Sequence, residues 1–408
     1  MHFDVRTRTD GPRPVIDPAD FFAHDLPAAL EREAAGMGPG LALIEPRPLT
    51  IEIDGETWTL AANASDQPGI SITSGPDPDA AHLRLVTTQL DDLVHDRATP
   101  MAWLSSGKLD QPAGRLADLL DWWVILRAAI DGQPIHTPGA VTFEARNASP
   151  LELHAALHID DDPADLRHFL HEAGYLHLTG VFDEADMAEV SADMDRAAPS
   201  YSPGDGHSWW ARTRDGAEQV VRMQSFDTHS ERTAAIIADD RFLGLAEIPG
   251  VGHEFGARRA DNRIEALFKP LGVVEGISDV PWHKDCSLGR HSYECSSLTV
   301  GISVTGADAD SGQLRVLAGS HRALTWPAFV QRGSGLPEID LPTRTGDVTI
   351  HLSCTTHMAQ PPVHRERRVM YTGFSLPVLD PAAAAAGRAG LRAVRESAPT
   401  TVSQRPAG

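Results

Sequence analysis

Alternating apolar and polar residues in the first part of the chain predict a β-hairpin. Apolar and polar side chains alternate from Leu49 to Ile53 and again from Thr57 to Leu60, and Asp54-Gly55 supplies the turn between them. Shorter strand-like runs follow at residues 70–73 and 83–86. We therefore predict a small sheet in this part of the chain.

The apolar spacing then changes to the helical period. The residues that share this spacing, all before the Asp131-Gly132 pair, are Leu116, Leu119, Leu120, Trp123, Leu126 and Ile130. This pattern predicts an amphipathic helix packed on the sheet. We expect residues 1–150 to form an α+β domain.

Turn-forming and acidic residues separate this domain from the rest of the chain. The segment 139–163 is rich in Gly, Pro and Asp and ends with Asp160-Asp161-Asp162-Pro163, so we expect a linker. We assign residues 160–380 to a second domain, and residues 381–408 to a C-terminal helix and tail.

The second domain begins with helical spacing that stops at Gly174, then a strand-like run over 175–182 and a helix capped by Asp183. Many strand-like segments follow, separated by Gly, Pro and Asp. This pattern predicts a double-stranded β-helix of the jelly-roll or cupin-like type, with flanking helices.

Composition narrows the choice of partners. The chain has 57 acidic against 35 basic residues and a formal charge of −22, which opposes binding to nucleic acid or anionic membrane surfaces. No run approaches the roughly 20 apolar residues of a membrane span, and the first thirty residues lack a secretory signal. We expect a cytoplasmic protein with reduced cysteines and a small-molecule substrate. The sequence leaves open whether the protein forms a homodimer.

The candidate chemistry lies in the second domain. His283 and Asp285 are two positions apart in a strand-like segment, so an imidazole and a carboxylate project from one face. A histidine from a later strand would complete a facial triad for iron(II), and both His351 and His357 are available. The spacing alone leaves the third ligand open.

Several ordered segments resemble the phytanoyl-CoA dioxygenase family of iron(II)/2-oxoglutarate oxygenases, over residues of about 165 to 377. They are residues 169–182, Trp282-His-Lys-Asp285, Ser311-Gly-Gln to Gly-Ser-His321, Gly346-Asp347 with His357, and 365–370. The resemblance implies that His283, Asp285 and His357 bind iron(II), because the family's distal histidine lies about eleven residues after the glycine of Gly-Asp.

The resemblance also implies an arginine that holds the distal carboxylate of 2-oxoglutarate, ten to eleven residues after the distal histidine. Arg367 and Arg368 fit this spacing and face opposite sides of a strand. We favour Arg367, because Arg368 shares its face with the bulkier residues expected in the packed layer. Lys269 and Gln224 lie where the family lines its pocket, so they are further candidates for cosubstrate binding.

Residues of about 45 to 135 resemble the sterol-carrier-protein-like fold. The resemblance is carried by residues 83–94, Thr99-Pro100 and Leu104-Ser-Ser-Gly-Lys-Leu109. Proteins of this fold bury lipids in an apolar cavity. One hypothesis is therefore that the N-terminal domain binds lipid, and the other is that its role is purely structural.

Together these features predict an iron(II)/2-oxoglutarate-dependent dioxygenase that uses O2, with ascorbate as reductant in vitro, to oxidise an unactivated C–H bond. Asp285 favours hydroxylation or a related oxidation over halogenation, because related halogenases have a small residue in place of that carboxylate. Two rivals are a cupin-type metal enzyme that does not use 2-oxoglutarate and a lipid-binding protein with a decayed oxygenase domain.

Overall fold

The computed structural model of the protein describes residues 15–63, 69–256, 262–276, 280–286, 297–377 and 382. Apart from residue 382, the predicted C-terminal helix and tail lie outside these residues, as does Cys295. Within them, no helix is both long enough and apolar enough to cross a membrane.

The N-terminal unit contains one mixed sheet and its helices. The helices are α1 (Pro18–Asp20), a π-helical turn (Phe21–Asp25), α2 (Leu26–Ile44), α3 (Thr87–Val94), α4 (Pro100–Ser105) and α5 (Leu116–Asp131). The strands are β1 (Leu49–Ile53), β2 (Glu56–Asn63), β3 (Gly69–Ser74), β4 (Ala81–Leu85) and β5 (Asp110–Ala113), in the spatial order β3-β2-β1-β4-β5. The resemblance to the sterol-carrier-protein-like fold stays a prediction.

The predicted hairpin is confirmed. Strands β1 and β2 pair antiparallel up to Ile53 and Glu56, and the turn residues Asp54 and Gly55 have φ angles of 51° and 88°. Positive φ at both positions defines the turn that matches the twist of the two strands. Strand β4 then returns parallel to β1, next to the hairpin.

Helix α5 is present as predicted, but it is not amphipathic. Side chains on all of its sides are buried from Asp118 to Ala129, with Asp121 only partly exposed. One side of α5 packs into the N-terminal core with α2 and the sheet. On another side, Leu120 packs on the second unit of the chain. A helix that is apolar on all sides is buried on all sides.

The second unit begins with β6 (Leu157–His158), and its other elements follow. The helices are α6 (Pro163–Ala173), α7 (Glu184–Ala197), α8 (Glu231–Ile236) and α9 (Asp240–Gly244), with 3-10 turns at Ala198–Ser200, Phe226–Thr228 and Leu245–Glu247. The strands after β6 are β7 (Tyr175–Thr179), β8 (Ser208–Thr213), β9 (Glu218–Met223), β10 (Glu254–Phe255), β11 (Glu265–Lys269), β12 (Val273–Glu275), β13 (Val280–His283), β14 (Leu298–Ser303), β15 (Leu314–Leu317), β16 (Glu338–Leu341), β17 (Val348–Leu352), β18 (His357–Ala359) and β19 (Arg367–Ser375).

Two sheets of the second unit face each other, as in a jelly roll. The larger has the order β12-β8-β9-β11-β19-β14-β17-β7-β6, with β10 against β19, and the smaller has the order β13-β18-β15-β16. On the outer face of the larger sheet, Val300 and Ile350 belong to the same apolar core as Met187 and Val190 of α7. Its inner face is turned toward the smaller sheet.

The local signals around α6 and α7 have mixed outcomes. Helix α6 ends at Gly174 with a φ of 88°, as predicted from the glycine. Asp183 does precede α7, but its side chain makes no capping hydrogen bond, so the predicted cap is wrong in that respect.

The predicted linker segment packs on the second unit. Phe143, Leu151 and Leu157 lie against the core of that unit, and β6 pairs with β7 in parallel. Helix α6 begins at Pro163, where the linker was expected to end. The division into domains of residues 1–150 and 160–380 stays a prediction.

The loop between β15 and β16 contacts the N-terminal unit. Leu324 is part of the N-terminal core, and its carbonyl accepts a hydrogen bond from His136 N (3.1 Å). Ser334 O lies 2.8 Å from His136 Nε2. We refer to residues 318–337 as the β15–β16 loop.

Candidate active site

The structure brings His283, Asp285 and His357 together. One ligand atom from each of these side chains lies within 4.8 Å of the other two. The Nε2 atoms of His283 and His357 are 3.3 and 3.7 Å from Asp285 Oδ1. Two imidazoles and one carboxylate oxygen that converge in this way form a donor set suited to iron(II).

Neighbouring strands and local hydrogen bonds orient the two histidines. His283 at the end of β13 pairs with His357 at the start of β18, so the two side chains project side by side. His283 Nδ1–H donates to Pro281 O (2.7 Å), and His357 Nδ1–H donates to Thr355 O (2.9 Å). Each Nε2 is therefore left as the nitrogen that can bind a metal.

The Gly346-Asp347 pair fixes the start of β17. The Asp347 carboxylate accepts hydrogen bonds from Gly180 N (2.9 Å), Arg344 N (2.8 Å) and His177 Nε2 (2.9 Å). Burial opposes its ionisation, but these donors hold the pKa of Asp347 below its ordinary value. The motif thus ties β17 to β7 and sets the path toward His357.

The other oxygen of Asp285 faces a different pair of side chains. Thr299 Oγ1 donates a hydrogen bond to Oδ2 (2.6 Å), and His351 Nε2 lies 3.4 Å from the same oxygen. His351 is 1% exposed, and neither ring nitrogen has a hydrogen-bond partner among the described residues. Its ring lies 4.1 Å from that of His357, but His351 is not part of the converging group of three.

The surroundings favour the metal-binding protonation states of Asp285 and His357, but not that of His283. The protein around Asp285 opposes its charge, but His357, His283 and His351 outweigh this and hold the pKa of Asp285 well below its ordinary value. Burial and the neighbouring charges of His351 and His283 hold the pKa of His357 well below its ordinary value. Burial also opposes the charge of His283, but Asp285 outweighs it and raises the pKa of His283. An ionised carboxylate and a neutral imidazole are the forms that coordinate metals.

A small cavity between the two sheets contains Arg367. The Arg367 side chain is 3% exposed, and its Nε and Nη2 atoms have no hydrogen-bond partner among the described residues. The cavity is lined by Gly301, Ser303, Ala307, Leu314, Leu341, Thr343, Thr349, Arg367, Val369 and Tyr371. A buried guanidinium with unused donors fits an anionic ligand.

The competing arginines are engaged elsewhere. Arg368 lies on the opposite face of β19, where its guanidinium pairs with Asp195 (2.8 Å) and Glu366 (3.0 Å). Arg365 is mostly exposed and pairs with Asp308 (2.6 Å). Of these three arginines, Arg367 is the one that lines the cavity.

Lys269 and Gln224, the two further candidates for cosubstrate binding, lie in different surroundings. Lys269 is 2% exposed and lies directly opposite Arg367 in the β11–β19 pair, with Nζ 3.4 Å from Gln360 O. Lys269 therefore lies beside Arg367 in the sheet, although it does not itself line the Arg367 cavity. The Gln224 side chain donates to Glu265 Oε1 (3.3 Å) and does not line the Arg367 cavity.

One face of the larger sheet connects the cavity to the three converging ligands. Across β14, Gly301 pairs with Tyr371 on one side and with Thr349 on the other, and all three line the cavity. Two positions along, Thr299 pairs with His351. Because residues two apart in a strand share a face, the Arg367 cavity and the Asp285 carboxylate adjoin the same surface.

The cavity depends on the absence of a side chain at Gly301. A Cβ at this position would lie 2.8 Å from the Tyr371 ring and 2.9 Å from Thr349 Oγ1. Glycine therefore leaves the space into which these two side chains project.

Thr299 and the polar side chains that line the cavity were not among the residues predicted from the sequence. A signal was present, because small or polar residues at 299, 301 and 303 alternate with Leu298, Val300 and Ile302. Such alternation predicts a strand with one polar face. The identity of the carboxylate that Thr299 contacts follows only from the fold.

Comparisons with known proteins identify the family. Residues 170–368 match the family model of phytanoyl-CoA dioxygenase (PhyH). Residues 170–368 therefore form a domain of this family of iron(II)/2-oxoglutarate-dependent oxygenases, as the resemblance implied. A search of curated proteins finds no match.

Solved structures similar to the chain include an epimerase, a carbocyclase and EctD. The epimerase SnoN in complex with Fe3+, alpha ketoglutarate and nogalamycin RO is 20% identical over 53% of this chain and 85% of its own, with a TM-score of 0.41. EctD from S. alaskensis with 2-oxoglutarate and 5-hydroxyectoine is 15% identical over 60% and 86%, with a TM-score of 0.43. The carbocyclase SnoK from nogalamycin biosynthesis is 18% identical over 56% and 92%, with a TM-score of 0.42.

Iron and 2-oxoglutarate are the cofactors of the family, and the site fits both. The converging His283, Asp285 and His357 atoms suit a divalent iron ion. The unused donors of buried Arg367 suit a carboxylate.

Proposed function

We propose that the protein oxidises an unactivated C–H bond of a small molecule, with hydroxylation as the expected outcome. The observation that carries this proposal is Arg367, a buried guanidinium with unused donors in a cavity that shares a sheet face with the Asp285 surroundings. A cupin-type metal enzyme that does not use 2-oxoglutarate would have no need for such a group.

His283, Asp285 and His357 are the proposed iron(II) ligands. Each imidazole offers Nε2, because its Nδ1–H is held by a backbone carbonyl. Asp285 offers Oδ1, and its negative charge offsets part of the charge of the metal. Three protein ligands leave the other coordination positions for 2-oxoglutarate and O2.

Arg367 is the proposed partner of the distal carboxylate of 2-oxoglutarate. The planar guanidinium can donate two parallel hydrogen bonds to that group, and Lys269 adds a second positive charge directly across the β11–β19 pair. When bound, iron(II), 2-oxoglutarate and O2 supply the oxidising chemistry, with succinate and CO2 as coproducts. The protein's part is to bind, orient and exclude water.

Thr299 and His351 are proposed to hold Asp285 in place without binding the metal. Both face Oδ2, at 2.6 and 3.4 Å, which leaves Oδ1 directed toward the two histidines. Groups that orient a metal ligand in this way change metal affinity about 10- to 100-fold when they are removed.

We therefore expect Thr299→Val to weaken iron(II) binding about tenfold, because valine keeps the shape but not the hydroxyl donor. Anaerobic iron(II) titration measures this. Thr372→Val is the matched control, since Thr372 lies beside this position on β19 and its hydroxyl donates to Arg263 O. Equal iron affinities for the two variants would contradict the role of Thr299.

The reaction class can be tested without knowledge of the substrate. Protein with iron(II), ascorbate, O2 and 2-oxoglutarate should form succinate above background, and Asp285→Ala should reduce this, because the loss of the carboxylate weakens metal retention. Succinate quantification measures the effect.

A binding experiment separates the rival functions. Addition of 2-oxoglutarate to the anaerobic iron(II) protein should produce a metal-to-ligand absorption band. A protein that binds iron(II) but gives no band is the outcome expected for a cupin-type enzyme. Absence of both iron binding and the band would favour the lipid-binding reading.

A further inference from the structure

A short part of the β15–β16 loop, residues 324–329, contacts the N-terminal unit on one side and β13 on the other. Leu324 is 1% exposed and lies in the N-terminal core, where it forms a parallel bridge with Ile135. The segment 324–329 is thus anchored in the N-terminal unit at its first residue.

The middle of this segment packs on α5. Trp326 Nε1 donates a hydrogen bond to Asp121 Oδ1 (2.8 Å). Ala328 is 1% exposed and forms a small apolar cluster with Leu120 of α5 and Met101 of α4. These contacts explain why α5 is buried on the side that faces away from its own sheet.

The other side of the segment contacts the strand that carries His283. Ala328 forms an antiparallel bridge with His283, and Phe329 N donates to Trp282 O (3.1 Å). Among the described residues, β13 is at the edge of its sheet and pairs with β18 alone, in an irregular register. The loop therefore supplies the second side of this edge strand.

We infer that the N-terminal unit positions the iron-binding strand, with the β15–β16 loop as the connection. Ala328 packs in one apolar cluster with Leu120 and also forms a backbone bridge with His283. A displacement of Ala328 would move the His283 imidazole relative to Asp285 and His357. This inference rests on the proposed iron site, and it gives the N-terminal unit a role in metal binding that does not require a lipid.

The test uses three variants of the full chain. Leu120→Ala removes the side chain that packs on Ala328, and Trp326→Phe removes the hydrogen bond to Asp121 but keeps a ring. Leu119→Ala is the matched control, because Leu119 is the preceding residue of α5 and packs into the N-terminal core instead. Leu120 and Leu119 are 1% and 3% exposed, so both substitutions open a buried cavity.

We expect Leu120→Ala and Trp326→Phe to weaken anaerobic iron(II) binding about tenfold, as loss of supporting contacts does at other metal sites. Leu119→Ala should lower the melting temperature without a matching loss of iron affinity. If all three variants bind iron(II) as tightly as the wild type, the N-terminal unit only stabilises the chain and the inference is overturned.

A second measurement separates this inference from the iron assignment. Hydrogen exchange of the metal-free protein reports on the backbone directly, through the Phe329 amide that donates to Trp282 O. This amide should exchange faster in Leu120→Ala and Trp326→Phe than in Leu119→Ala. If the wild type binds no iron(II), the proposed function fails, and the exchange rates still decide whether α5 holds the strand.

Discussion

His357→Ala should abolish stoichiometric iron(II) binding, whereas His351→Ala should retain it. Both side chains are buried and their rings lie 4.1 Å apart, so each substitution removes an imidazole from the same region. His357 Nε2 faces Asp285 Oδ1 with His283, but His351 Nε2 faces Oδ2. The difference in iron binding therefore comes from which carboxylate oxygen each histidine faces.

Anaerobic iron(II) titration, with the metal content measured after desalting, checks this prediction. His351→Ala should weaken affinity by no more than about 100-fold, the range expected for a group that supports a ligand. Melting curves of both variants show whether either change unfolds the protein. If His351→Ala loses iron and His357→Ala retains it, the distal ligand is His351.

Arg367→Ala should raise the 2-oxoglutarate concentration needed for half-maximal binding by roughly 30-fold or more while iron stays bound. Loss of a buried charge-assisted pair with a carboxylate costs about 2 to 5 kcal/mol, and about 1.4 kcal/mol corresponds to a factor of ten. The metal-to-ligand absorption band, titrated with 2-oxoglutarate under anaerobic conditions, measures the change.

Arg368→Ala is the matched control for this experiment. Arg368 is the next residue on β19, but its guanidinium pairs with Asp195 and Glu366 on the outer face. Its removal should leave the 2-oxoglutarate titration unchanged. Equal titrations of the wild type and Arg367→Ala, with a weakened Arg368→Ala, would move the anchor to Arg368.

Local structure was predictable where a short stretch of sequence carries its own physical reason. Asp54-Gly55 accepts the positive φ angles of a two-residue hairpin turn, and Gly174 ends α6 for a similar reason. The parallel pairing of β1 with β4 was not predictable in this way, because it depends on residues far apart in the chain.

The interpretation of α5 shows where a local pattern was incomplete. The apolar period predicted one buried face, but Trp122, Val124 and Ile125 extend the apolar residues around the helix. A helix that is apolar on all sides indicates a second partner, although it does not identify that partner. The β15–β16 loop, about 200 residues later, could be found only from the fold.

The candidate site was predictable to a similar extent. His283 and Asp285 are two residues apart, so the strand period alone places them on one face, and the family match covers the region of His357. The choice between Arg367 and Arg368 could be argued from strand alternation. The contact of Thr299 with Asp285 and the unused nitrogens of His351 depend on the pairing of β14 with β17, which no local pattern specifies.

The size of the Arg367 cavity depends on the absence of a Cβ atom at Gly301. Because the strand is extended there, the backbone itself would accept alanine, and the obstacle is only the Tyr371 ring and the Thr349 hydroxyl. A methyl group at this position would displace the Tyr371 ring or the Thr349 hydroxyl, both of which line the cavity. Steric exclusion at this one backbone position thus bears on the size of the acid that we propose to bind here, separately from the charge of Arg367.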